Sequence, residues 1–414
     1  MTARVYITGV GVVSSIGLGK QAFYEALAAG RSGISAIASF DASKLGRSLG
    51  GEVKQFRAKD HLTAAEARRT GRASAMALAA ARMAVADAKI ADGELRGPRT
   101  AVVIGTTMGE VDVLEILEDG WIRRGTNHVK SALIPKFAST LLPIHIARAF
   151  GAEGMQLTLP GACAAGNYAI GIAADLIRTG KADVVIAGAT EILQELQYAG
   201  FVRLAAMATD RCQPFDKNRQ GLIVGEGAGI VVLESEAHAV RRNANVVAEV
   251  GAIGITCDAY HITRPHPDAT GSVSAMRQAI SRSGLTPADV DFVNAHGTGT
   301  KANDQAEAKV MHEVFGDRRV PISSMKSTIG HCMGAASALE AIGCVMTIET
   351  GIYPPTMGYE TPDPECDIAV VANEARKGPH DVLLNNSLAF GGYNAVVCFA
   401  KPGRIDPSGF QGDA

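Results

Sequence analysis

The sequence predicts a layered α/β protein, in which helices cover sheets whose strands are buried. Apolar runs typical of buried strands recur along the chain, as in "TAVVIGTTM" and "ADVVIAGAT". Alanine-rich segments of helical length separate these runs. Hydrophobic residues make up 47% of the 414 residues, and 46 residues are glycine, so the chain can bury a large, closely packed core.

The order of these segments predicts how the chain is organised. Strands are expected in "RVYITGVGVV", "TAVVIGTTM", "ADVVIAGAT", "AGIVVLE", "DFVNAHGTGT" and "AVVCFAK", and helices over 73–90, 164–180, 273–284 and 333–348. A further strand near 245–260 leads from a first half, 1–250, into a second half, 251–402. The remaining residues, 403–414, are polar and rich in Gly and Pro, which predicts a flexible tail.

Composition narrows the class of protein. The net charge of −2 excludes a general basic field for nucleic acid. The first residues lack a signal-peptide pattern, and no run of about 18 apolar residues predicts a membrane span. The seven cysteines form no CxxC pair, which is typical of free thiols in the cytoplasm. We therefore expect a cytoplasmic protein that binds neither nucleic acid nor membrane.

Two glycine patterns resemble nucleotide-binding loops only in part. "GVGVVSS" follows the first predicted strand, but it lacks the third glycine, and no acidic residue follows about 20 residues later. "GEGAGIVVLE" (225–234) opens a strand and not a helix, so its glycines are expected to serve close packing or a tight turn. We expect no nucleotide cofactor.

Cys163 lies at a position that favours a nucleophile. In "TLPGACAAGNYAIG" (158–171) it follows a glycine-containing turn and begins a predicted helix. Unpaired amides and the helix dipole at such a place stabilise a thiolate, and the geometry resembles a nucleophile elbow. A buried structural thiol is the alternative. Position alone leaves both interpretations open.

Polar residues in the second half strengthen the catalytic interpretation. His296 ends a predicted strand in "VNAHGTGT" (293–300), and Lys326 and His331 lie in "SSMKSTIGHCMGAASALEA" (323–341), before a helix of small residues. Loops at strand ends carry the chemistry of many α/β proteins. A Gly–Gly turn in "NNSLAFGGYNAVV" (385–397) can direct backbone amides at a developing oxyanion.

These motifs together resemble a known family. The combination of "GAC", "PFDKNRQGLIVGEGAG", "DAYHIT", "NAHGTGTKANDQAEA", "SMKSTIGHCMGAA" and "FGGYN" is similar to the elongating β-ketoacyl-[acyl-carrier-protein] synthases of fatty-acid and polyketide synthesis, over nearly the whole chain. The resemblance implies a thiolase fold with α-β-α-β-α layers and two similar halves. The chain departs from the family's common residues at Tyr393, where Thr is usual, and at Leu222, where Phe is common.

The resemblance also implies a reaction. Cys163 takes an acyl group from the phosphopantetheine arm of an acyl carrier protein, so the protein is an acyltransferase. Malonyl-carrier protein then loses carbon dioxide, and its enolate attacks the acyl-Cys, which forms a carbon–carbon bond. No resident cofactor and no metal are implied, because the arm arrives on the carrier protein. Fatty-acid and polyketide pathways, and the acyl chain length, remain open.

Residue roles follow from the same resemblance. His296 and His331 stabilise the enolate, and Lys326 holds them while paired with Glu340. The amides of Cys163 and Phe390 form the oxyanion hole, and Phe390 also acts as a gate. Other implied positions are Thr263, Thr298 and Thr300 for the pantetheine arm, Met108 and Phe201 for the acyl pocket, and Arg68, Arg69, Arg123 and Arg124 for the carrier protein.

Particular residues argue against other classes of protein. A thiolase would need a second cysteine near the C-terminal Gly–Gly turn, and a chain-initiating synthase would have Asn in place of His331. A non-catalytic partner subunit is disfavoured because Cys163 and both histidines are retained. A metal site in "YHITRPH" or "GHC" lacks a converging ligand set, since His261 and His266 lie on different faces.

A homodimer is the default expectation, and a heterodimer with a Cys-less relative stays open.

Overall fold

The computed structural model describes residues 3–411, in which sixteen strands and thirteen α-helices alternate. The strands are β1 (Val5–Ser14), β2 (Gly17–Leu18), β3 (Ser35–Ala36), β4 (Leu49–Gly50), β5 (Thr100–Gly105), β6 (Gln156–Leu159), β7 (Val184–Glu191), β8 (Gly227–Ser235), β9 (Ala248–Cys257), β10 (Phe292–Asn294), β11 (Pro321–Ser323), β12 (Ile352–Tyr353), β13 (Ala369–Val370), β14 (Arg376–Lys377), β15 (Val382–Ala389) and β16 (Tyr393–Ala400).

The thirteen helices of the described residues include the four segments expected from sequence, with small shifts at their ends. They are α1 (Lys20–Ala28), α2 (Ala58–His61), α3 (Ala64–Arg69), α4 (Arg72–Asp87), α5 (Val111–Arg124), α6 (Leu141–Phe150), α7 (Ala165–Arg178), α8 (Glu195–Arg203), α9 (Glu236–Arg241), α10 (Thr270–Arg282), α11 (Lys301–Phe315), α12 (Lys326–Ile329) and α13 (Ala336–Thr350).

The strands form two arrays with the same order and polarity. The first runs β6-β5-β7-β8-β1 and the second runs β11-β10-β15-β16-β9, with the short strand β13 added beside β11. In each array the first three strands are parallel and the last two pairings are antiparallel. The arrays join where β1 and β9 pair at Tyr6–Glu249 and Ile7–Ala248. The chain therefore consists of two similar halves, although no repeat is evident in its sequence.

Five layers result from how the helices cover these arrays. Helices α7 and α13 pack on each other and lie between the arrays, α4 and α6 cover the outer face of the first array, and α10 and α11 cover that of the second. Helix α13 is buried from residue 336 to residue 348, as expected for a helix that is apolar on all sides. The central helices cross closely because Gly166 has no side chain: a Cβ there would lie 2.4 Å from the amide nitrogen of Ala338.

Two expectations about the chain's division are corrected. All of β9 belongs to the second array, so the boundary lies before Ala248 and not at residue 250. The segment predicted as a flexible tail is anchored at two of its described side chains: Ile405 is 2% exposed, and the guanidinium of Arg178 lies 4.0 Å from the centre of the Phe410 ring. Apolar residues spaced through a polar segment are enough to anchor it. Residues 412–414 of that prediction lie outside the described residues.

Within 3–411, no helix combines the length and apolar character needed to cross a bilayer.

Candidate active site

Cys163 lies at a strained turn between β6 and α7. It occupies a short 3-10 turn, Ala162–Ala164, that leads directly into the helix. Ala162 has a φ of 47°, in the left-handed region that residues with a side chain rarely adopt. The second half has the same feature before α13, where Met333 has a φ of 45°. The cysteine turn thus has the geometry of a nucleophile elbow, and its counterpart in the second half follows His331.

The two elbows bring the cysteine and the histidines together. Nε2 of His331 lies 3.1 Å from Sγ of Cys163. The ring of His296 stands nearly perpendicular to that of His331, with 5.4 Å between their centres. The backbone anchors both residues: the His331 amide donates to the carbonyl of Ile223 at 2.6 Å, and the His296 amide donates to Glu307 at 2.7 Å.

Burial controls the charge of the imidazoles. It lowers the pKa of both His296 and His331 well below the usual value, and the positive charge of Lys326 adds to this effect. Both rings are therefore neutral at pH 7, and each carries one N–H donor. Their Nδ1 atoms have no hydrogen-bond partner among residues 3–411. Neutral imidazoles of this kind can accept a proton or donate a hydrogen bond to an oxyanion.

Lys326 is the cation at the centre of the site. Its ammonium lies 2.5 Å from Oε1 of Glu340, and both side chains are fully buried. Burial raises the pKa of Glu340, and Lys326 opposes that shift. Burial likewise raises the pKa of Cys163 to about 12, against the opposing effects of Lys326 and of a hydrogen bond from the Phe390 backbone. The resting thiol is therefore protonated. Lys326 and the Phe390 amide stabilise the thiolate that forms when a base removes its proton.

A cavity of 720 Å³ leads to the cysteine and gathers most of the residues singled out from sequence. At its inner end are Cys163, His296 and His331. The rings of Phe201 and Phe390 lie 5.8 Å apart along its wall. Polar positions farther along are Thr263, Thr298 and Thr300, with the hydroxyls of the last two 2.9 Å apart.

Other predicted residues lie apart from this cavity. Met108 is not among its lining residues, although Gln194 Nε2 approaches the Met108 sulfur at 3.7 Å. The four arginines predicted to contact the carrier protein are exposed in the last turns of α3 and α5. Arg123 pairs there with Asp119. These positions are Arg68, Arg69, Arg123 and Arg124. Nothing in their geometry contradicts the predicted roles, which stay predictions.

Sequence reasoning missed two buried carboxylates beside the site. Glu307 holds the His296 loop through two amides, those of His296 and Gly297, at 2.7 Å each. Glu191 accepts hydrogen bonds from the amides of Thr107 at 2.5 Å and Met108 at 3.1 Å. Burial raises the pKa of each carboxyl to about 7. Glu191 is the last residue of an apolar strand. A carboxylate at the end of such a strand was the sequence signal that could have identified it.

The histidines of "YHITRPH" do not form part of a metal-ligand group. His266 packs edge-on against Tyr260, with 5.0 Å between ring centres, and the His261 ring accepts from the amide of Thr263. No group of three or more His, Cys, Asp or Glu side chains in 3–411 is arranged to hold a metal ion.

Comparison with known proteins supplies an independent finding. Residues 2–239 match the family model described as Beta-ketoacyl synthase, N-terminal domain, and residues 247–360 match its C-terminal domain. The 3-oxoacyl-[acyl-carrier-protein] synthase 2 of Synechocystis sp. is 39% identical over 407 residues, covering 96% of this chain and 98% of the relative. That of Staphylococcus aureus is 38% identical over 406 residues, with the same coverage.

Solved structures agree with this. One titled "The ishigamide ketosynthase/chain length factor" superposes with a TM-score of 0.93 at 38% identity, covering 97% of this chain and all of the other. A second, titled "AntDE:AntF (apo): type II PKS acyl-carrier protein in complex with its ketosynthase bound to the hexaketide", has a TM-score of 0.89 at 29% identity and the same coverage.

Proposed function

We propose a reaction for this chain from the premise that it belongs to the β-ketoacyl synthase family, as predicted from its sequence. It is a ketosynthase, and we propose that it joins an acyl group to a two-carbon unit from malonyl-carrier protein through an acyl-Cys163 intermediate. One observation supports this most strongly: His331 Nε2 lies 3.1 Å from Cys163 Sγ at the inner end of a 720 Å³ cavity. That cavity offers a thioester a route to the thiol.

The first half-reaction transfers the acyl group to sulfur. The thiol proton moves to neutral His331, and the sulfur attacks the thioester carbonyl. The amides of Cys163 and Phe390 receive the oxyanion. When the intermediate collapses, the bond to the pantetheine sulfur breaks, and that sulfur takes the proton back from His331. The imidazole is then neutral again for the next step.

The second half-reaction builds the new carbon–carbon bond. The electrons of the bond to the malonyl carboxylate move into the enolate as carbon dioxide leaves. N–H donors of His296 and His331 hydrogen-bond the enolate oxygen, which a neutral ring next to Lys326 can do without becoming charged. The enolate carbon attacks the acyl-Cys163 carbonyl, and cleavage of the bond to Sγ releases the β-ketoacyl product. The Sγ thiolate that leaves takes up a proton from solvent, which restores the resting thiol. We propose that no resident cofactor is needed, because the carrier protein supplies the pantetheine arm.

An acidic acyl carrier protein is the proposed partner in this reaction. The solved ketosynthase with 29% identity is titled as a complex with its acyl-carrier protein. Exposed arginines at the ends of α3 and α5 supply positive charge that can steer such a partner. Reversing Arg68 and Arg69 to Glu should raise KM for acyl-carrier protein and leave KM for a small acyl thioester nearly unchanged. Equal effects on both substrates would contradict the steering role.

The chain is also proposed to assemble with a second subunit. Strand β6 is the edge of the first array, and large apolar side chains are exposed around it and on α5. They include Ile122 at 78% exposure and Trp121 at 57%. A homodimer is the default proposal, and the neighbour whose title includes a chain length factor makes a heterodimer the second candidate. Light scattering of the purified wild-type chain and of the Trp121→Glu variant, measured separately, tests self-association.

Intact-mass measurement tests the reaction itself. The purified chain is offered short, medium and long acyl-carrier proteins, and the mass added to Cys163 is recorded before malonyl-carrier protein is supplied. We expect an acyl adduct that disappears as β-ketoacyl product forms. Cys163→Ala should retain the fold but lose both the adduct and the product. Product formation by that variant at the wild-type rate would refute the proposal.

A further inference from the structure

Two cations that have no partner within residues 3–411 line the exposed part of the cavity. Arg264 and Lys301 both line it, and both side chains are exposed. Neither charged group forms an ion pair or hydrogen bond with any residue in 3–411. The other charged side chains of the lining differ. Arg219 is paired with Asp304 and Asp363, while Asp258 accepts from the Asn394 side chain and the His266 amide.

Separate elements bring these cations to one place. Lys301 is the first residue of α11, and Arg264 follows Thr263 in the segment between β9 and α10. Ala302 and Asn303, from the first turn of α11, also line the cavity, so the positive end of that helix faces it. Among the described residues that line the cavity, Asp258 is the one carboxylate, and the two unpaired cations outweigh its charge, so the mouth of the cavity has a net attraction for an anion.

The order of groups along the cavity indicates which anion this is. Exposure of the lining residues increases from Cys163 and the histidines, which are buried, through Thr263 and Thr300, which are half-buried, to Arg264 and Lys301, which are exposed. A thioester that reacts at Cys163 must place the distal end of its arm among these cations. A malonyl carboxylate would instead lie at the inner end, with the reacting carbons. The anion expected at the mouth is therefore carried by the distal end of the arm.

We propose that Arg264 and Lys301 bind the phosphate diester through which the pantetheine arm is attached to its carrier protein. This rests on the proposed function, since it assumes a thioester substrate on such an arm. The planar guanidinium of Arg264 suits two phosphate oxygens, and the Lys301 ammonium adds a point charge. Both groups are exposed, so salt weakens the contact. The pair acts on the choice and placement of substrate, and the chemistry stays with Cys163 and the histidines.

Two small substrates that differ only in the phosphate test this assignment. Acyl-pantetheine and acyl-phosphopantetheine are offered separately, and acylation of Cys163 is followed by intact mass to obtain kcat/KM for each. For the wild-type chain we expect a preference of about tenfold for the phosphorylated arm, the usual size of a charge-assisted contact at an exposed site. The double variant Arg264→Ala, Lys301→Ala should reduce that ratio to near one. Lys301→Arg keeps the positive charge, so it should retain most of the ratio that Lys301→Ala loses. Added salt should reduce the wild-type ratio.

Lys309→Ala is the matched control. Lys309 is also on α11, but its ammonium is paired with Asp268 at 2.9 Å and does not line this cavity. Its loss should leave the tenfold ratio in place, and thermal melts verify that all variants are folded. Equal use of the two arms by the wild-type chain, or a ratio retained in the double variant, would overturn the phosphate site alone. Failure of both arms to acylate Cys163 would overturn the proposed function and this inference with it.

Discussion

The Nε2 atom of His331 lies 3.1 Å from the Sγ atom of Cys163, although 168 positions separate the two residues. Cys163 lies within the strained elbow before α7, and His331 lies just before the corresponding elbow, which begins at Met333 and leads into α13. Helices α7 and α13 pack against each other, so their elbows meet at one point between the two strand arrays. The proposed catalytic group is thus assembled where corresponding turns of the two halves meet.

Loss of the His331 ring should impair both half-reactions, and decarboxylation most. In His331→Ala the enolate loses one of its donors, which should slow malonyl decarboxylation by about 10²- to 10³-fold. Some acylation of Cys163 should remain, because Lys326 and the Phe390 amide still favour the thiolate. Release of labelled carbon dioxide and intact mass measure the two steps. His312→Ala, which changes an exposed histidine, is the control. Undiminished decarboxylation would show that the assigned role is wrong.

Breaking the Lys326–Glu340 pair should cost stability as well as activity. Both groups are fully buried, and removing one partner leaves an uncompensated charge in the core. Lys326→Met alone should destabilise the fold by about 3–5 kcal/mol. Lys326→Met combined with Glu340→Gln removes both charges, so it should recover most of that stability and still lack condensation. Denaturant unfolding and product formation measure the two effects. A double variant as unstable as the single one would contradict the charge argument.

The buried histidines should make folding stability depend on pH. Burial holds the pKa of His296 and His331 below the unfolded value of about 6.5. The unfolded chain therefore binds more protons below that pH, and this contribution to stability is present above about pH 6.5 and lost as the pH falls. Replacing both histidines with Gln should reduce the fall in melting temperature on acidification from neutral pH. An identical pH dependence in wild type and double variant would contradict neutral, buried rings.

Met108 should control acyl chain length if it lines the acyl pocket. Its backbone amide is held by Glu191, so a change of side chain leaves the loop anchored. Met108→Ala should extend the preferred acyl chain, and Met108→Trp should shorten it. Each methylene admitted to an apolar pocket contributes roughly 0.8 kcal/mol, or about fourfold in rate ratio. Loading of short, medium and long acyl-carrier proteins, compared by intact mass, measures the shift. The same chain-length profile in both variants would place Met108 in the core only.

Tyr393 should hold the turn that carries Phe390. Its ring packs edge-on against Tyr168, with 6.1 Å between centres, and lies against Gly391, which has a φ of 88°. Tyr393→Thr removes this contact, which is worth about 0.5–1.5 kcal/mol, and should expose Cys163 to iodoacetamide about two- to tenfold faster. Tyr393→Phe keeps the ring and serves as control. If Thr and Phe variants react at the wild-type rate, the aromatic pair does not restrain the gate.

The sequence alone determined the class of fold and indicated the candidate reacting groups. Apolar strands and alanine-rich helices follow from local periodicity, which needs no knowledge of tertiary contacts. Cys163, His296, Lys326 and His331 each stand in a short motif at the end of a strand or the start of a helix. Such motifs are local, so the chain family and its reaction could be predicted from them.

Tertiary structure alone decided which groups act on one another. The match between the two strand arrays, the packed segment up to residue 411 and the buried Glu191 all depend on contacts between distant parts of the chain. Arg264 and Lys301 show the same limit, because each is an ordinary exposed cation in sequence, and only the path of the cavity places them together. The pKa of Cys163 also depends on burial and on Lys326, both set by packing. Local patterns determine secondary structure and chemical identity, whereas distance, burial and electric field arise only when the halves pack together.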